Sequence, residues 1–219
     1  MIVRLNEIPL REALHFLGWR GTPVEHGLLE DIREKARRVI EETEPRVLVR
    51  RFSLEENGTL CGTTFSPKGE DVRRMLAPCR EVYLLAATLG AQSERMLLRE
   101  QSLGAAGAVL LDAVMSAAIE TVCDRQEERL RLSLLEEGKH LTDRFSPGYG
   151  DMPLAQTNEI CAVLQAQRIG LMVSQSGIMI PRKSVTAIMG ISDAPVQRRP
   201  SGCEGCSAKD TCAMRRNEG

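Results

Sequence analysis

The stretch Arg144-Phe145-Ser146-Pro147-Gly148-Tyr149-Gly150-Asp151-Met152-Pro153 puts a fixed cation, an aromatic hydroxyl and a carboxylate into a segment that cannot be helical. Pro147 and Pro153 each remove a backbone donor and push the preceding residue toward extended geometry. Gly148 and Gly150 open backbone conformations, or a close ligand approach, that a Cβ would forbid. The planar fork of Arg144 matches a carboxylate through two parallel charge-assisted bonds. An ion pair with Asp143 or Asp151, of little energetic value at a surface, is the alternative.

Three further sets carry chemical groups. Asp112, Ser116 and Glu120 recur at i, i+4 and i+8 and share one face of a predicted helix, as a ligand-facing set or as a polar stripe. Lys183 and Ser184 follow Pro181 in a predicted turn, where Lys183 either meets an anionic partner or is a solvated turn lysine. Cys203, Cys206 and Cys212 have the spacing Cys-x2-Cys-x5-Cys, which can chelate zinc or an iron–sulfur cluster. A fourth ligand would come from Cys161, an acid, water or another chain. A redox-active thiol pair and an inert tail are the other readings. The histidines His15, His26 and His140 are too scattered for a metal site, and no nucleophile triad or phosphate-binding glycine loop is present.

The elements that must position these groups follow from hydrophobic period. Residues 2–5 read as a short edge strand, 9–19 as a short helix and 28–44 as an amphipathic helix stopped by Pro45. Residues 46–54 alternate as a strand. Asn57-Gly58 signals a hairpin whose return strand would be 59–65. A helix over 70–76 and a buried strand over 81–88 come next. Residues 91–135 are helical in pattern, with a break at Gly104 or Gly107, and alanines such as Ala113 and Ala117 suit close packing. The charged run 124–131 reads as a solvated face. Thr157-Asn158 read as the cap of a helix through about residue 167, and 171–192 as a β-hairpin or two strands, turning at 181–183. The order of elements is not a βαβ alternation, so the expectation is α+β: an antiparallel or mixed twisted sheet with a long central helix and flanking helices. One domain over 1–199 and a Cys-containing tail over 200–219 complete the division.

Composition narrows the classes. The 219 residues are 42% hydrophobic and 27% charged, enough for a sizeable core, but only 3% aromatic. A formal net charge of −1 lacks the basic field of a nucleic-acid binder. No apolar run reads as a membrane span, and the N-terminus lacks a secretory signal, so a cytoplasmic location is expected. Cys61, Cys79, Cys123 and Cys161 read as buried or partly buried thiols in a reducing compartment.

The chain resembles the activation (reactivation) domain of cobalamin-dependent methionine synthase in its free-standing form. That family's loop, Arg-x-x-Pro-Gly-Tyr followed by a Pro, is matched by Arg144, Pro147, Gly148, Tyr149 and Pro153. The segments 82–90 (VYLLAATLG) and 176–184 (SGIMIPRKS) fit the same family, and the matches together span roughly residues 80–192.

The resemblance implies an S-adenosylmethionine-binding module that supports methionine biosynthesis as an accessory component in trans. Held with its methyl aimed at the cobalt of a partner's cobalamin, S-adenosylmethionine would re-methylate oxidised cofactor, with an electron from a reductase-type donor. Arg144, Ser146 and Tyr149 would hold the ligand, Asp112 and Glu120 match acidic positions, and Lys183 and Ser184 would face the partner or its cobalamin. Ser116 stands where the family places a ligand-facing Glu, which is a departure. The rival readings are an iron–sulfur or metal-dependent reductive activator of a corrinoid protein, and a non-catalytic adaptor with the same fold. The expected partners are a corrinoid protein and an electron donor, with no nucleic acid and no membrane.

Overall fold

The computed structural model describes residues 1–19, 23–174 and 177–196. Strand β1 (Arg46–Ser53) pairs antiparallel with β2 (Glu81–Thr88), in a register that sets Arg51 beside Tyr83. Two later strands, β3 (His140–Leu141) and β6 (Ser184–Ser192), complete an antiparallel sheet of order β1-β2-β6-β3. A separate ribbon pairs β4 (Met172–Val173) with β5 (Met179–Ile180). The expected α+β class, with an antiparallel sheet and a long central helix, is what the chain adopts.

Both faces of the sheet are covered, which explains the continuous apolar run of β2. Side chains alternate between faces. Leu85 and Ala87 join one core with Val47, Met189 and Ile191, while Val82, Leu84 and Ala86 join the other with Phe52 and Ile188. The first core is closed by helices α1 (Leu10–Phe16), α2 (His26–Glu42), α4 (Ala91–Leu103) and α5 (Ala105–Glu136). Ile32, Ala36 and Val39 form the buried stripe of α2 at i, i+4 and i+7. The second core lies under α3 (Glu70–Leu76), α6 (Gln156–Leu164) and the loops that carry Phe65, Phe145 and Met152.

Helix α5 is the spine. Its 32 residues span about 48 Å at the standard rise, and Gly104, extended at its N-cap, separates it from α4. Buried Ala108, Ala113, Ala117 and Ala118 let α1, α2 and α4 approach closely. By length and composition α5 is apolar enough to cross a membrane, which corrects the sequence reading. Within the fold, 56% of that apolar window is buried, so much of it serves core packing.

Several local expectations are corrected. Residues 2–5 contribute an isolated bridge, Ile2 with Arg46, rather than a strand. The Asn57-Gly58 turn forms, but the return strand over 59–65 reduces to one bridge between Leu54 and Leu60. The Leu60 N–H donates to the Phe65 carbonyl at 2.9 Å, so the chain folds back on itself and sinks both side chains into the second core. Thr157 and Asn158 lie inside the first turn of α6, whose N-cap is Ala155. The turn at 181–183 joins β5 to β6, which belong to different sheets. Cys79, Cys123 and Cys161 are buried, but Cys61 is exposed.

Candidate functional site

After β3 the chain runs extended along the edge of β6. Phe145 and Ile188 exchange backbone bonds of 2.9 and 2.8 Å, and Thr142 and Gly190 are linked at 2.9 and 2.8 Å. Alternation along this segment drives Phe145 into the second core and turns Arg144 and Ser146 the other way. The Pro-Gly turn follows: the Gly148 N–H donates to the Met152 carbonyl at 2.9 Å, and Gly148 and Gly150 hold φ of +91° and +52°.

The loop faces a cavity of about 510 Å³, within the range that holds small ligands. Glu120, Asp124 and Glu127 of α5 form one wall. Arg144, Ser146, Tyr149 and Leu154 form the second, and Met179 with Ser184, Val185 and Thr186 forms the third. Of the residues singled out by sequence, the fold therefore brings together Glu120, Arg144, Ser146, Tyr149 and Ser184. Tyr149 stands at the mouth, 68% exposed.

Arg144 pairs with neither Asp143 nor Asp151 in the ion pairs of the described residues. Its Nε donates to Glu127 Oε2 at 2.9 Å, its Nη1 lies 3.3 Å from Glu120 Oε2, and its Nη2 pairs with Asp124. Burial opposes its charge, but the surroundings of Cys123, Glu120, Asp124 and Glu127 hold its pKa above the ordinary arginine value. Behind it, burial pushes the Cys123 thiol up to about 12, with Arg144 in partial opposition. Arg131 extends the network, with Nη2 at 2.7 Å from Glu127 Oε1 and Nη1 donating to the Leu141 carbonyl at 2.7 Å.

Asp124 and Glu127 were read from sequence as part of a solvated face: Asp124 is solvent-exposed as expected, Glu127 is largely buried, and both line the cavity. The signal was present: with Glu120 they stand at i, i+4 and i+7, continuing the stripe that begins at Asp112 and Ser116.

Asp112 and Lys183 meet each other away from the cavity lining. Lys183 Nζ lies 2.8 Å from Asp112 Oδ1 and 2.8 Å from Ser116 Oγ, with its side chain 14% exposed. The lysine thus ties the turn to α5, and the short Ser116 leaves room for it. Arg182 does the same to α4 through Glu94, 3.2 Å away. Ser184 is buried, with its hydroxyl 2.8 Å from Thr88 Oγ1 and 2.7 Å from the Pro181 carbonyl.

Asp151 is structural. Its carboxylate accepts from the N–H groups of Glu70 and Asp71 at the start of α3, and those bonds hold its pKa below the usual carboxylate range. Among the described residues no group of His, Cys, Asp and Glu has the arrangement to hold a metal. Cys203, Cys206 and Cys212, and the 200–219 tail that carries them, lie outside the described residues, as does Ser176.

No family model matches the sequence, and no curated protein matches it. The fold resembles that of a solved structure, the MetH reactivation domain bound to AdoHcy. The TM-score is 0.59 at 15% identity, and the match covers 90% of this chain and 79% of that one. At that identity the likeness is one of fold.

Proposed function

We propose that the chain is an S-adenosylmethionine-binding reactivation module, which supports reductive methylation of the cobalamin of a methionine synthase-type methyltransferase in trans. One observation carries the reading. The Arg144–Tyr149 loop, which bears the motif, walls a ligand-sized cavity between α5 and β6 in a fold shared with a domain solved with AdoHcy.

In this reading the bound S-adenosylmethionine supplies an activated methyl group, and an external donor supplies the electron. The residues of the chain bind and orient. Tyr149 offers a ring face at the mouth, Leu154, Met179 and Val185 offer apolar contact, and the hydroxyls of Ser146, Thr157 and Thr186 offer hydrogen bonds to the nucleoside. Glu120 and its acidic neighbours face the charged end. The module's contribution is positioning, so no general acid or base is needed.

Titration calorimetry of the full-length protein with S-adenosylmethionine tests the proposal. Saturable one-site binding is expected. Tyr149→Ala, at an exposed position, weakens it by about 5- to 150-fold, the value of a lost aromatic stack of about 1–3 kcal/mol, with an unchanged melting midpoint. Absence of binding to either S-adenosylmethionine or S-adenosylhomocysteine overturns it.

A further inference from the structure

We infer that the cavity selects its ligand by positive charge and gives the ligand's carboxylate no dedicated anchor. A sulfonium nucleoside with an aminoalkyl arm and no carboxylate then binds at least as tightly as S-adenosylmethionine. The inference rests on the adenosyl-ligand reading above and concerns how that ligand is recognised.

The argument begins with the guanidinium that a ligand carboxylate would seek. All three nitrogens of Arg144 already face acids: Nε meets Glu127 at 2.9 Å, Nη1 meets Glu120 at 3.3 Å, and Nη2 meets Asp124. Arg131, the next cation, is committed to Glu127 and to the Leu141 carbonyl. Exposure then decides which sign an entering molecule meets. The Arg144 side chain is 17% exposed, whereas Glu120 is 39% and Asp124 is 68% exposed. Glu120 and Asp124 are thus the more exposed partners, while Glu127, at 16%, is as buried as the guanidinium.

The balance of charge points the same way. Four carboxylates line the cavity (Glu120, Asp124, Glu127 and Asp143) against one guanidinium, with Arg131 a second behind the wall. Like charges at i, i+4 and i+7 on one helix face repel, and Arg144, with Arg131 on Glu127, offsets only part of that repulsion. The remainder attracts a sulfonium or an ammonium group. A ligand carboxylate must instead displace one of these acids or become the fourth around the same guanidinium. Across water-like dielectric, such a mismatch between unit charges about 4 Å apart amounts to roughly 5-fold in affinity.

The test is titration calorimetry of the full-length chain with S-adenosylmethionine and with decarboxylated S-adenosylmethionine, in the same low-salt buffer. The decarboxylated ligand is expected to bind as tightly or up to about 5-fold tighter. Asp124→Asn should weaken the decarboxylated ligand by about 3- to 10-fold and S-adenosylmethionine less, because the released guanidinium edge then accepts the carboxylate. Glu120→Gln repeats the comparison if the first variant loses its cooperative melting transition. Binding of S-adenosylmethionine with a tenfold or greater loss on decarboxylation overturns the inference and leaves the proposed function standing. So does an equal effect of the substitutions on both ligands. Failure of both ligands to bind overturns the proposed function and this inference with it.

Discussion

Asp151 caps the helix that begins at Glu70: its Oδ2 accepts the Glu70 N–H at 2.6 Å across 81 residues of sequence. The same carboxylate takes the Asp71 N–H at 3.1 Å, so the orphan donors of α3 are met by a residue of the cavity loop. Gln156 adds a second tie, accepting from the Lys68 N–H at 2.8 Å and donating to the Ser66 carbonyl at 2.9 Å. The loop around Tyr149 is therefore held from below, and its rigidity is a tertiary property.

Removing that cap has a defined cost. Asp151→Ala should lower the urea midpoint, while Asp151→Asn should lower it much less because the amide oxygen still accepts. Urea unfolding of the three proteins measures this. Equal stability of Asp151→Ala and the parent would show that water replaces the cap without loss.

Gly150 makes a sharper prediction about the same junction. Its φ is +52°, and a Cβ there would overlap Asp71 Oδ2 and lie 3.4 Å from Phe145 Cζ. Gly150→Ala should destabilise by about 1–2 kcal/mol, chiefly left-handed backbone strain, with the overlap a small part because Asp71 Oδ2 is the tip of a flexible side chain. In a double-mutant cycle Asp71→Ala should recover the overlap part and leave the backbone part. Additive losses would place the whole effect in the backbone.

Acid sensitivity should be traceable to Glu81. Arg51 grips this carboxylate at 2.8 Å through both Nε and Nη2, and Lys139 joins it, which outweighs the desolvation of partial burial. Its pKa is held down to about 2. A depressed carboxylate stabilises the fold fully above its unfolded value near 4.5, and that stability drains away as pH falls through about 2. The ceiling is about 3 kcal/mol, reduced by solvent screening because the side chain is 23% exposed. Glu81→Gln should flatten the stability-against-pH curve across that window. A mutant curve parallel to the parent's would assign the acid limb to other carboxylates.

The C-terminal cysteines give a fourth test. Strand β6 ends at Ser192, and among the described residues both cores are assembled from residues up to Ile191. Deleting 200–219 should leave a single cooperative melting transition. Anaerobically prepared full-length protein should carry zinc or iron through Cys203, Cys206 and Cys212, and the shortened protein should not. Metal retained after the deletion would remove these cysteines as ligands.

Much of the scaffold was legible because it is governed by short-range geometry. The stripe Ile32-Ala36-Val39 identifies α2, and the boundaries of α3 and β2 were read to the residue. The Pro-Gly loop was recognisable for the same reason, since ring constraint and the missing Cβ act within two residues.

What sequence alone determined, then, is the course of α2, α3, β1, β2 and the Pro-Gly loop, and the chemical types of Arg144, Ser146, Tyr149 and Glu120. Tertiary structure decided their company. A charged run on a helix has the same pattern whether it faces water or a cavity, so Asp124 and Glu127 became a wall only when β3 brought Arg144 across from α5. Lys183 likewise became a tie to α5 because the turn at 181–183 packs beside Asp112 and Ser116, about 70 residues upstream. Local preference acts through neighbouring bonds, whereas the sign and partners of a buried charge depend on what packing delivers from elsewhere in the chain.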